Sequence, residues 1–521
     1  MLFDASLTSL GAGILLLLCL VRAIYSVWSN RYSKEPPFPP GPKTVPFLGN
    51  VHQLPVENQQ KTFYDWGRQF GDIVFAKLFH SPVIIVNSLD VARELMEKRG
   101  GNYNDRPPFI LLSELMGWDS TLTHIRFGER FRKHRKWMQS AFMTRPALNS
   151  YRPLQKRESH IMLAGLLTDP DAYVRHFTRF AAATLMEITY GHRVISESDL
   201  YVHLAERATS ETVKAGSPAR MLVDFFPILR HYPTWLPGAT FKVEALHVRG
   251  LVKSMMDTPY EMVKRELEAG KALPSFTGNL LEEHHRKGTL SHEDETDIKG
   301  AAGTLYAAGT ETTATVMTTF VFAMVRHPEV YRKAQEELDR VVGSERLPDF
   351  DDRDSLSYLN AVIKEVYRWH VPVPSGLPHF SMKDDEFRGY RIPECSMIIG
   401  NIWGMSQNAD LYPEPEAFRP ERFIGNPNDE IMDPKNIIFG FGRRLCPGKD
   451  FADSNVFLLA ANIVATMDIT RAKDAQGQEI VPPLEFTSGF VSRPKPFKCV
   501  FSPRSPRAVE LIHQLNQSTE A

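Results

Sequence analysis

The chain has 521 residues, of which 43% are hydrophobic and 24% are charged, and this composition excludes a disordered chain. The 61 Lys and Arg residues balance 62 Asp and Glu residues, so the net charge of −1 provides no field that would attract nucleic acid. The four cysteines, Cys19, Cys395, Cys446 and Cys499, show no C-x-x-C spacing, which argues against a disulfide framework or a zinc site and favours a reducing compartment.

The first predicted element is an apolar segment over residues 7–27. As a helix, these 21 residues would reach about 31 Å, the hydrocarbon thickness of a bilayer. Arg22 interrupts the run, which leaves a secretory signal peptide as the alternative. Because residues 1–6 contain no Lys or Arg whereas Arg31 and Lys34 follow the segment, we predict that residues 1–30 are an uncleaved membrane anchor with the main domain in the cytoplasm.

Residues 31–45 form a proline-rich segment that predicts a stiff, extended hinge. An ordinary linker or a ligand for a small adaptor domain are the alternatives. Residues 46–521 contain no repeat and no second linker, and they are predicted to form one large domain. Strand patterns occur only at residues 73–78, 83–87 and 378–399, whereas helical periodicity is found at residues 131–142, 330–342 and 358–369, among others. The predicted fold class is therefore mainly α with a minor β region.

One predicted helix, over residues 293–326, is much longer than the average of about 12 residues. Between Leu305 and Val325 its only charged residue is Glu311, so this half must be buried in a protein core, which we favour, or in a second membrane span. Its middle reads Ala308-Gly309-Thr310-Glu311-Thr312-Thr313. Taken alone, such a Gly/Thr-rich stretch is more often a packing seam.

The most specific pattern is the ten-residue motif F-x-x-G-x-R-x-C-x-G, which runs from Phe439 to Gly448. It is expected by accident about once in 20,000 chains of this kind, and the alternative is a glycine-rich loop with an inert cysteine. A second pattern, E-x-x-R, occurs at Glu365 and Arg368 and is followed by a P-E-R-F element that contains Arg422. The E-x-x-R pattern also begins at Glu129, Glu283, Glu329, Glu337 and Glu416, so only order and spacing single out Glu365; such pairs are usually solvated ion pairs.

In order and spacing, these motifs resemble those of cytochromes P450 from residue 36 to about residue 500. The narrower likeness is to fungal microsomal members of the O-methylsterigmatocystin oxidoreductase and tryptamine-hydroxylating types. The resemblance implies a cytochrome P450 fold that binds haem b, with Cys446 as the thiolate ligand of the iron. It also implies that Phe439, Gly442 and Gly448 shape the loop around the sulfur and that Arg444 pairs with a haem propionate.

The resemblance gives roles to further residues. Glu311 and Thr312 are expected to relay protons, while Gly309 leaves room for dioxygen. Glu365, Arg368 and Arg422 are expected to lock the core together. Arg135 and His379 match propionate-binding positions, but Phe131 stands where the family has tryptophan, so an indole N–H bond is absent. The charges of Arg130, Arg132, Lys133 and Lys136 either dock a reductase or form a solvated helix face.

The implied function is a haem-thiolate monooxygenase that inserts one oxygen atom of O2 into a lipophilic small molecule, in terpenoid, polyketide or indole biosynthesis. Electrons come from NADPH through a cytochrome P450 reductase, with cytochrome b5 as a second candidate donor, at the endoplasmic reticulum membrane. A reductase-independent haem-thiolate isomerase or dehydratase and a non-enzymatic haem sensor are the alternatives; the Glu311-Thr312 pair argues against both. By analogy, the regions expected to contact the substrate are residues 109–116, 225–235, 307–308, 375–377 and 487–490.

Overall fold

The computed structural model describes residues 35–196, 199–216, 221–425 and 429–520. The predicted anchor in residues 1–30 lies outside these residues. Within them, no helix combines the length and the apolar character needed to cross a membrane.

Helices make up most of the described residues. In chain order the α-helices are α1 Gln59–Phe70, α2 Leu89–Arg93, α3 Gly100–Tyr103, α4 Glu129–Phe142, α5 Arg145–Thr168, α6 Tyr173–Tyr190, α7 Leu200–Ala215, α8 Leu222–Phe225, α9 Thr240–Glu268, α10 Phe276–Lys287, α11 His292–Arg326, α12 Pro328–Val341, α13 Ser357–Trp369, α14 Ile402–Ser406, α15 Asp429–Met432, α16 Lys435–Ile438, α17 Lys449–Thr466 and α18 Pro506–Glu520. Two further segments, Glu94–Lys98 and Ile110–Leu115, are short π-helices.

The strands form three small sheets. They are β1 Ile73–Leu78, β2 Ser81–Val86, β3 His379–Phe380, β4 Asp385–Phe387, β5 Tyr390–Ile392, β6 Met397–Gly400, β7 Met467–Arg471 and β8 Cys499–Pro503. The largest sheet has the order β1-β2-β6-β3, with β2 and β6 parallel, and the other two sheets are the pairs β4-β5 and β7-β8. The prediction of a mainly α fold with a minor β region is confirmed.

Helix α11 is the central element of the molecule. It begins at a capping box in which the Ser291 hydroxyl accepts the Asp294 N–H and the Asp294 carboxylate accepts the Ser291 N–H, each at 3.1 Å. Every residue from Thr313 to Val325 is buried, in a core shared with α5, α6, α13 and α17. The prediction of a core helix is therefore confirmed, and the alternative of a second membrane span is wrong.

The described part of the proline-rich segment, residues 35–45, lies against the sheets. The Pro40 carbonyl oxygen accepts the Phe75 N–H at 3.0 Å, and the Phe38 ring stacks on the Phe75 ring with 4.5 Å between centroids. A Cβ on Gly41 would lie 1.9 Å from the Phe75 oxygen, so only glycine allows this approach. This part of the segment is docked on β1 and is not a free linker.

Candidate active site

The loop between α16 and α17 folds its backbone around the sulfur of Cys446. The Cys446 N–H donates to the Phe439 carbonyl oxygen at 2.9 Å, and the Gly448 N–H donates to the Cys446 sulfur. Gly442 has a φ of 58°, and a Cβ on it would lie 2.1 Å from the Met96 oxygen. Close packing against the neighbouring π-helix therefore requires glycine at position 442, while Gly448 supplies the donor to the sulfur.

Three influences act on the ionisation of the Cys446 thiol. Burial raises its pKa above the ordinary value, while the Gly448 N–H and the positive charge of Arg135 lower it. Arg135 is held in position by its own hydrogen bond from Nη1 to the Leu445 carbonyl oxygen, at 2.5 Å. Cys446 retains accessible surface although protein atoms surround its thiol, so its sulfur borders an internal space. A cation bound to the sulfur would complete the stabilisation of the thiolate.

Helix α11 has an accessible stretch in the middle of its buried length. Ala308 is exposed, whereas Leu305 and Tyr306 before it and Thr313 after it are buried. Because this helix passes through the core, we infer that the accessible side of Ala308 faces a chamber inside the protein.

The two predicted proton-relay residues lie one turn further along the same helix. The Thr312 hydroxyl donates to the Ala308 carbonyl oxygen at 2.9 Å, and both Glu311 and Thr312 keep part of their surface accessible. A Cβ at position 309 would lie 2.6 Å from Cδ1 of Leu185, so one side of Gly309 packs closely against α6. The expectation that Gly309 leaves room for dioxygen stays a prediction.

Two guanidinium groups, those of Arg106 and Arg444, meet inside the protein near the cysteine loop. Each donates only to main-chain carbonyl oxygens among the described residues. The acceptors are Asn104, Leu122 and Ile125 for Arg444, at 2.8–3.2 Å, and Thr123, Leu377 and Pro378 for Arg106, at 2.7–3.1 Å. Arg106 was not predicted as a site residue from the sequence, because a single arginine before two prolines carries no local signal of burial.

The positive charges of Arg106 and Arg444 are only weakly compensated by neighbouring groups, which favours binding of an anion. Burial lowers the pKa of both groups, to about 10 for Arg444, and the charge of Arg444 lowers that of Arg106 further. The carboxylate whose charge acts on both groups is Asp105, which already accepts hydrogen bonds from Arg126 and from the backbone N–H of Phe127. Arg106 is buried and Arg444 is half-buried, and two such cations with so little compensation form a site for an anionic group.

Phe131, at the position where the family has tryptophan, contributes to the same site. The Arg444 guanidinium carbon lies 3.9 Å from the centre of the Phe131 ring, a cation–π contact that holds the guanidinium in place. Arg135 is also close enough to lower the pKa of Arg444 by charge repulsion. Phenylalanine at position 131 therefore lacks the indole N–H donor of tryptophan but offers its aromatic face to Arg444.

His379 lies at the start of β3. Its Nδ1 is 2.7 Å from the Tyr103 carbonyl oxygen, an acceptor, so Nδ1 carries a proton and Nε2 of the neutral ring carries none. Burial lowers the pKa of His379 to about 3, and the charge of Arg106 contributes in the same direction. His379 can donate to an anion only when its ring takes up a second proton, which a neighbouring carboxylate would favour.

The structure brings the predicted core triad together. The Arg368 guanidinium makes a bidentate pair with Glu365, Nε to Oε2 at 2.7 Å and Nη2 to Oε1 at 2.8 Å, and Arg422 Nε lies 3.2 Å from Glu365 Oε2. All three side chains are buried. The Glu365 carboxylate also accepts the Arg419 N–H at 2.8 Å. This cluster joins α13 to the P-E-R-F turn.

The basic face of α4 is only partly available for docking. Lys133 Nζ lies 2.5 Å from Asp294 Oδ1, and both Lys133 and Arg130 pair with Asp297. Burial would raise the pKa of Asp297, but hydrogen bonds from Arg130 and Lys133, with His134 Nε2 3.3 Å from the carboxylate, keep it far below its usual range. Arg130 and Lys133 are therefore neither free to dock a partner nor simply solvated. Their ion pairs fasten α4 to α11.

Comparison with known proteins gives a consistent result. A family model described as Cytochrome P450 matches residues 39–501. The chain belongs to the cytochrome P450 family. It is 46% identical to Cytochrome P450 monooxygenase 176 of Postia placenta over 93% of both chains, and 39% identical to Cytochrome P450 monooxygenase claR of Ampulloclitocybe clavipes over 93% of this chain and 90% of that one. It is also 36% identical to Cytochrome P450 monooxygenase ple1 of Rhodocybe pseudopiperita, over 93% and 92% of the two chains. The chain is thus a fungal-type cytochrome P450 monooxygenase, an oxidoreductase.

The residues of this cytochrome P450 fit the haem that its family implies. Haem contains an iron that binds a thiolate ligand. It also carries two propionate groups, which need cationic partners. The Cys446 sulfur accepts the Gly448 N–H, and the buried Arg106 and the half-buried Arg444 have only Asp105 as a compensating carboxylate among the described residues. With bound haem, Cys446 would hold the iron and the two arginines would hold the propionates.

The regions expected to contact the substrate differ in burial. Ile110, Leu111 and Leu115 of the second π-helix are buried, whereas Ile228 and Trp235 are 76% and 80% exposed. The second region, residues 225–235, therefore has large exposed apolar side chains, and its contact with a substrate stays a prediction.

Proposed function

We propose that this cytochrome P450 inserts one oxygen atom of O2 into a lipophilic small molecule of fungal specialised metabolism. The observation that carries the proposal is the Cys446 loop, with the Gly448 N–H on the sulfur and Arg135 beside it. Bound haem would supply the oxidative chemistry, and the thiolate would donate electron density to the iron. Electrons would come from NADPH through a cytochrome P450 reductase, with cytochrome b5 as a second candidate donor.

Glu311 is suited to deliver protons to the chamber. Burial raises its pKa above the ordinary value, and the charge of Arg493 opposes this rise only in part. A carboxyl group whose pKa is nearer to neutrality can take up a proton from water and release it again within one catalytic cycle. The Thr312 hydroxyl, held on the Ala308 oxygen, is positioned to pass that proton or to fix a water molecule beside it.

Replacement of Glu311 with glutamine, or of Thr312 with alanine, is expected to uncouple electron use from product formation. The variants keep the haem site but lose proton delivery, so reduced oxygen should leave as hydrogen peroxide. The assay contains a cytochrome P450 reductase and a terpenoid, polyketide or indole probe that shifts the haem absorbance. In both variants we expect the amount of peroxide formed per NADPH consumed to rise several-fold.

Thr318→Ala is the matched control, because the Thr318 hydroxyl makes the same bond to the fourth preceding carbonyl but is buried in the core. This variant should keep the wild-type ratio. Equal ratios in all four proteins would contradict a relay through Glu311 and Thr312, and the absence of any NADPH-dependent product would favour an isomerase, a dehydratase or a haem sensor.

The lipophilic substrate class is supported by the apolar side chains of the segment over residues 109–116 and by the small residues of α11 at the chamber. Two relatives, claR and ple1, come from fungi and are named as monooxygenases. Terpenoid, polyketide and indole skeletons all suit such a lining.

We also propose that residues 1–30 anchor the protein in the endoplasmic reticulum membrane, with the haem domain in the cytoplasm. The support is the apolar run over residues 7–27 and the basic residues that follow it. Deletion of residues 1–30 is expected to move most of the protein from the carbonate-washed membrane pellet to the soluble fraction, whereas the full chain should stay in the pellet. Retention of the truncated protein in the washed pellet would overturn the single-anchor proposal.

A further inference from the structure

A buried carboxylate joins two segments that are far apart in the chain, the π-helix Ile110–Leu115 and helix α8. Asp224 Oδ1 accepts the Leu111 N–H at 2.8 Å, and the Ile110 N–H also donates to this carboxyl group. Asp224 Oδ2 is buried and has no hydrogen-bond partner among the described residues. One oxygen of the group is therefore satisfied and the other is not.

Helix α8 has a second attachment on its other side. The Phe79 ring, at the turn between β1 and β2, packs against the rings of Phe225 and Phe226 with centroid distances of 5.2 and 5.1 Å. An exposed ion pair between Arg230 and Glu114, at 3.1 Å, links the turn after α8 to the π-helix but contributes little at this exposure. Asp224 is thus the buried polar contact between the π-helix and a segment that the sheet holds in place.

The chemistry of this contact makes it sensitive to ionisation. A buried carboxylate with an unpaired oxygen is penalised, because hydration of that oxygen has been lost without replacement. Burial, together with the negative charge of Glu114, raises the pKa of Asp224 to about 6 against the N–H bonds that lower it. The elements that surround Asp224 also carry the titratable or charged residues His80, Arg230, His231, Lys242, Glu244, His247 and Arg249.

The contact between the π-helix and α8 is expected to weaken as the pH rises. In the joined state the carboxyl group keeps its proton up to about pH 6, whereas in water it loses that proton near its ordinary pKa of 3.8. Ionisation therefore favours separation, and the joint is tighter at low pH. Between pH 5 and pH 7.5 the equilibrium for local opening is expected to rise about tenfold.

We propose that Asp224 is a positioning residue that fastens the π-helix Ile110–Leu115 to helix α8, and that its ionisation loosens this joint so that the chamber admits bulky lipophilic molecules. The part that concerns admission rests on the proposed function. The joint itself rests only on the contacts of Asp224.

Hydrogen exchange tests the joint directly on the full-length, haem-loaded protein. The opening equilibrium of the peptide that spans residues 109–116, obtained from exchange rates corrected for their intrinsic pH dependence, should rise about tenfold in the wild type from pH 5 to pH 7.5. Asp224→Asn keeps an acceptor for the Leu111 N–H but has no charge, so its opening should not change over this range and should be slower than wild type at pH 7.5. Asp224→Ala lacks the acceptor and should open faster than wild type at pH 5.

Glu211→Gln is the matched control, since Glu211 is an exposed carboxylate on α7 that pairs with Lys214 at 2.7 Å. This variant should follow the wild type within about twofold. A pH dependence that persists in Asp224→Asn, or that is absent from the wild type, would overturn the proposal.

The rate at which ligands bind to the haem tests whether loosening of this joint admits bulky molecules. Two probes of different size are compared. Binding of 4-phenylimidazole to the ferric haem should be several-fold slower in Asp224→Asn than in the wild type at pH 7.5, whereas binding of cyanide should change less than twofold. Equal effects on both probes would remove the entry role while leaving the exchange result intact. Neither measurement needs product formation, so failure of the monooxygenase proposal would be seen separately.

Discussion

Haem-loaded protein that carries Cys446→Ala is expected to lose completely the red-shifted Soret band that thiolate-ligated ferrous haem gives with carbon monoxide. The shift arises because a thiolate donates electron density to the iron, and the described loop offers no second sulfur at this place. The measurement is the difference spectrum of dithionite-reduced protein with and without carbon monoxide, at equal haem content. The wild type should show the band at full intensity.

Cys499→Ala and Cys395→Ala are the controls for this expectation. Cys499 is buried in β8, where burial raises its pKa to about 12, and Cys395 is exposed at a turn. Neither thiol belongs to the cysteine loop, so both variants should keep the band. A band that survives in Cys446→Ala would contradict the assignment of the iron ligand, and a band lost from Cys499→Ala would point to another sulfur.

The sequence predicted best those elements whose pattern is set within a few residues. The long helix was expected over residues 293–326 and lies at His292–Arg326, because Ser291 and Asp294 cap it and its apolar face continues without a break. Strand β1 was predicted with its observed bounds. Strands β7 and β8 were missed, since β7 continues directly from α17 and finds its partner about 30 residues later.

The candidate site shows a similar division. Local motifs identified Cys446 and the Glu365 triad, but Glu337 begins the same E-x-x-R pattern and does not form a surface ion pair. Its buried carboxylate instead accepts the N–H groups of Tyr358 and Leu359, at 2.8 and 2.9 Å, and so caps α13. Arg106 was missed for a related reason. Burial and long-range partners decide these roles, and neither can be read from spacing along the chain.

Replacement of Glu365 with glutamine is expected to destabilise the fold severely. The change keeps the shape of the side chain but removes the negative charge that forms the bidentate pair with the buried Arg368 guanidinium and also lies beside Arg422. Removing one partner from a buried ion pair costs about 3–5 kcal/mol, a large fraction of the total stability of a protein. The expected result is a lower midpoint of denaturant unfolding, followed by tryptophan fluorescence, and a reduced yield of haem-loaded protein.

Glu329→Gln provides the matched comparison, because Glu329 begins the same E-x-x-R pattern but its side chain is 60% exposed at the start of α12. Its effect on the free energy of unfolding should stay within about 0.5 kcal/mol. Since both variants remove one negative charge from an E-x-x-R sequence pattern, but only Glu365 is buried, the difference between them reports the effect of the buried ion pairs. Similar midpoints for the two variants would show that the Glu365 triad does not hold α13 to the P-E-R-F turn. A loss confined to Glu365→Gln, with the carbon monoxide band unchanged in the molecules that fold, would place this carboxylate in core assembly and outside the chemistry of the chamber.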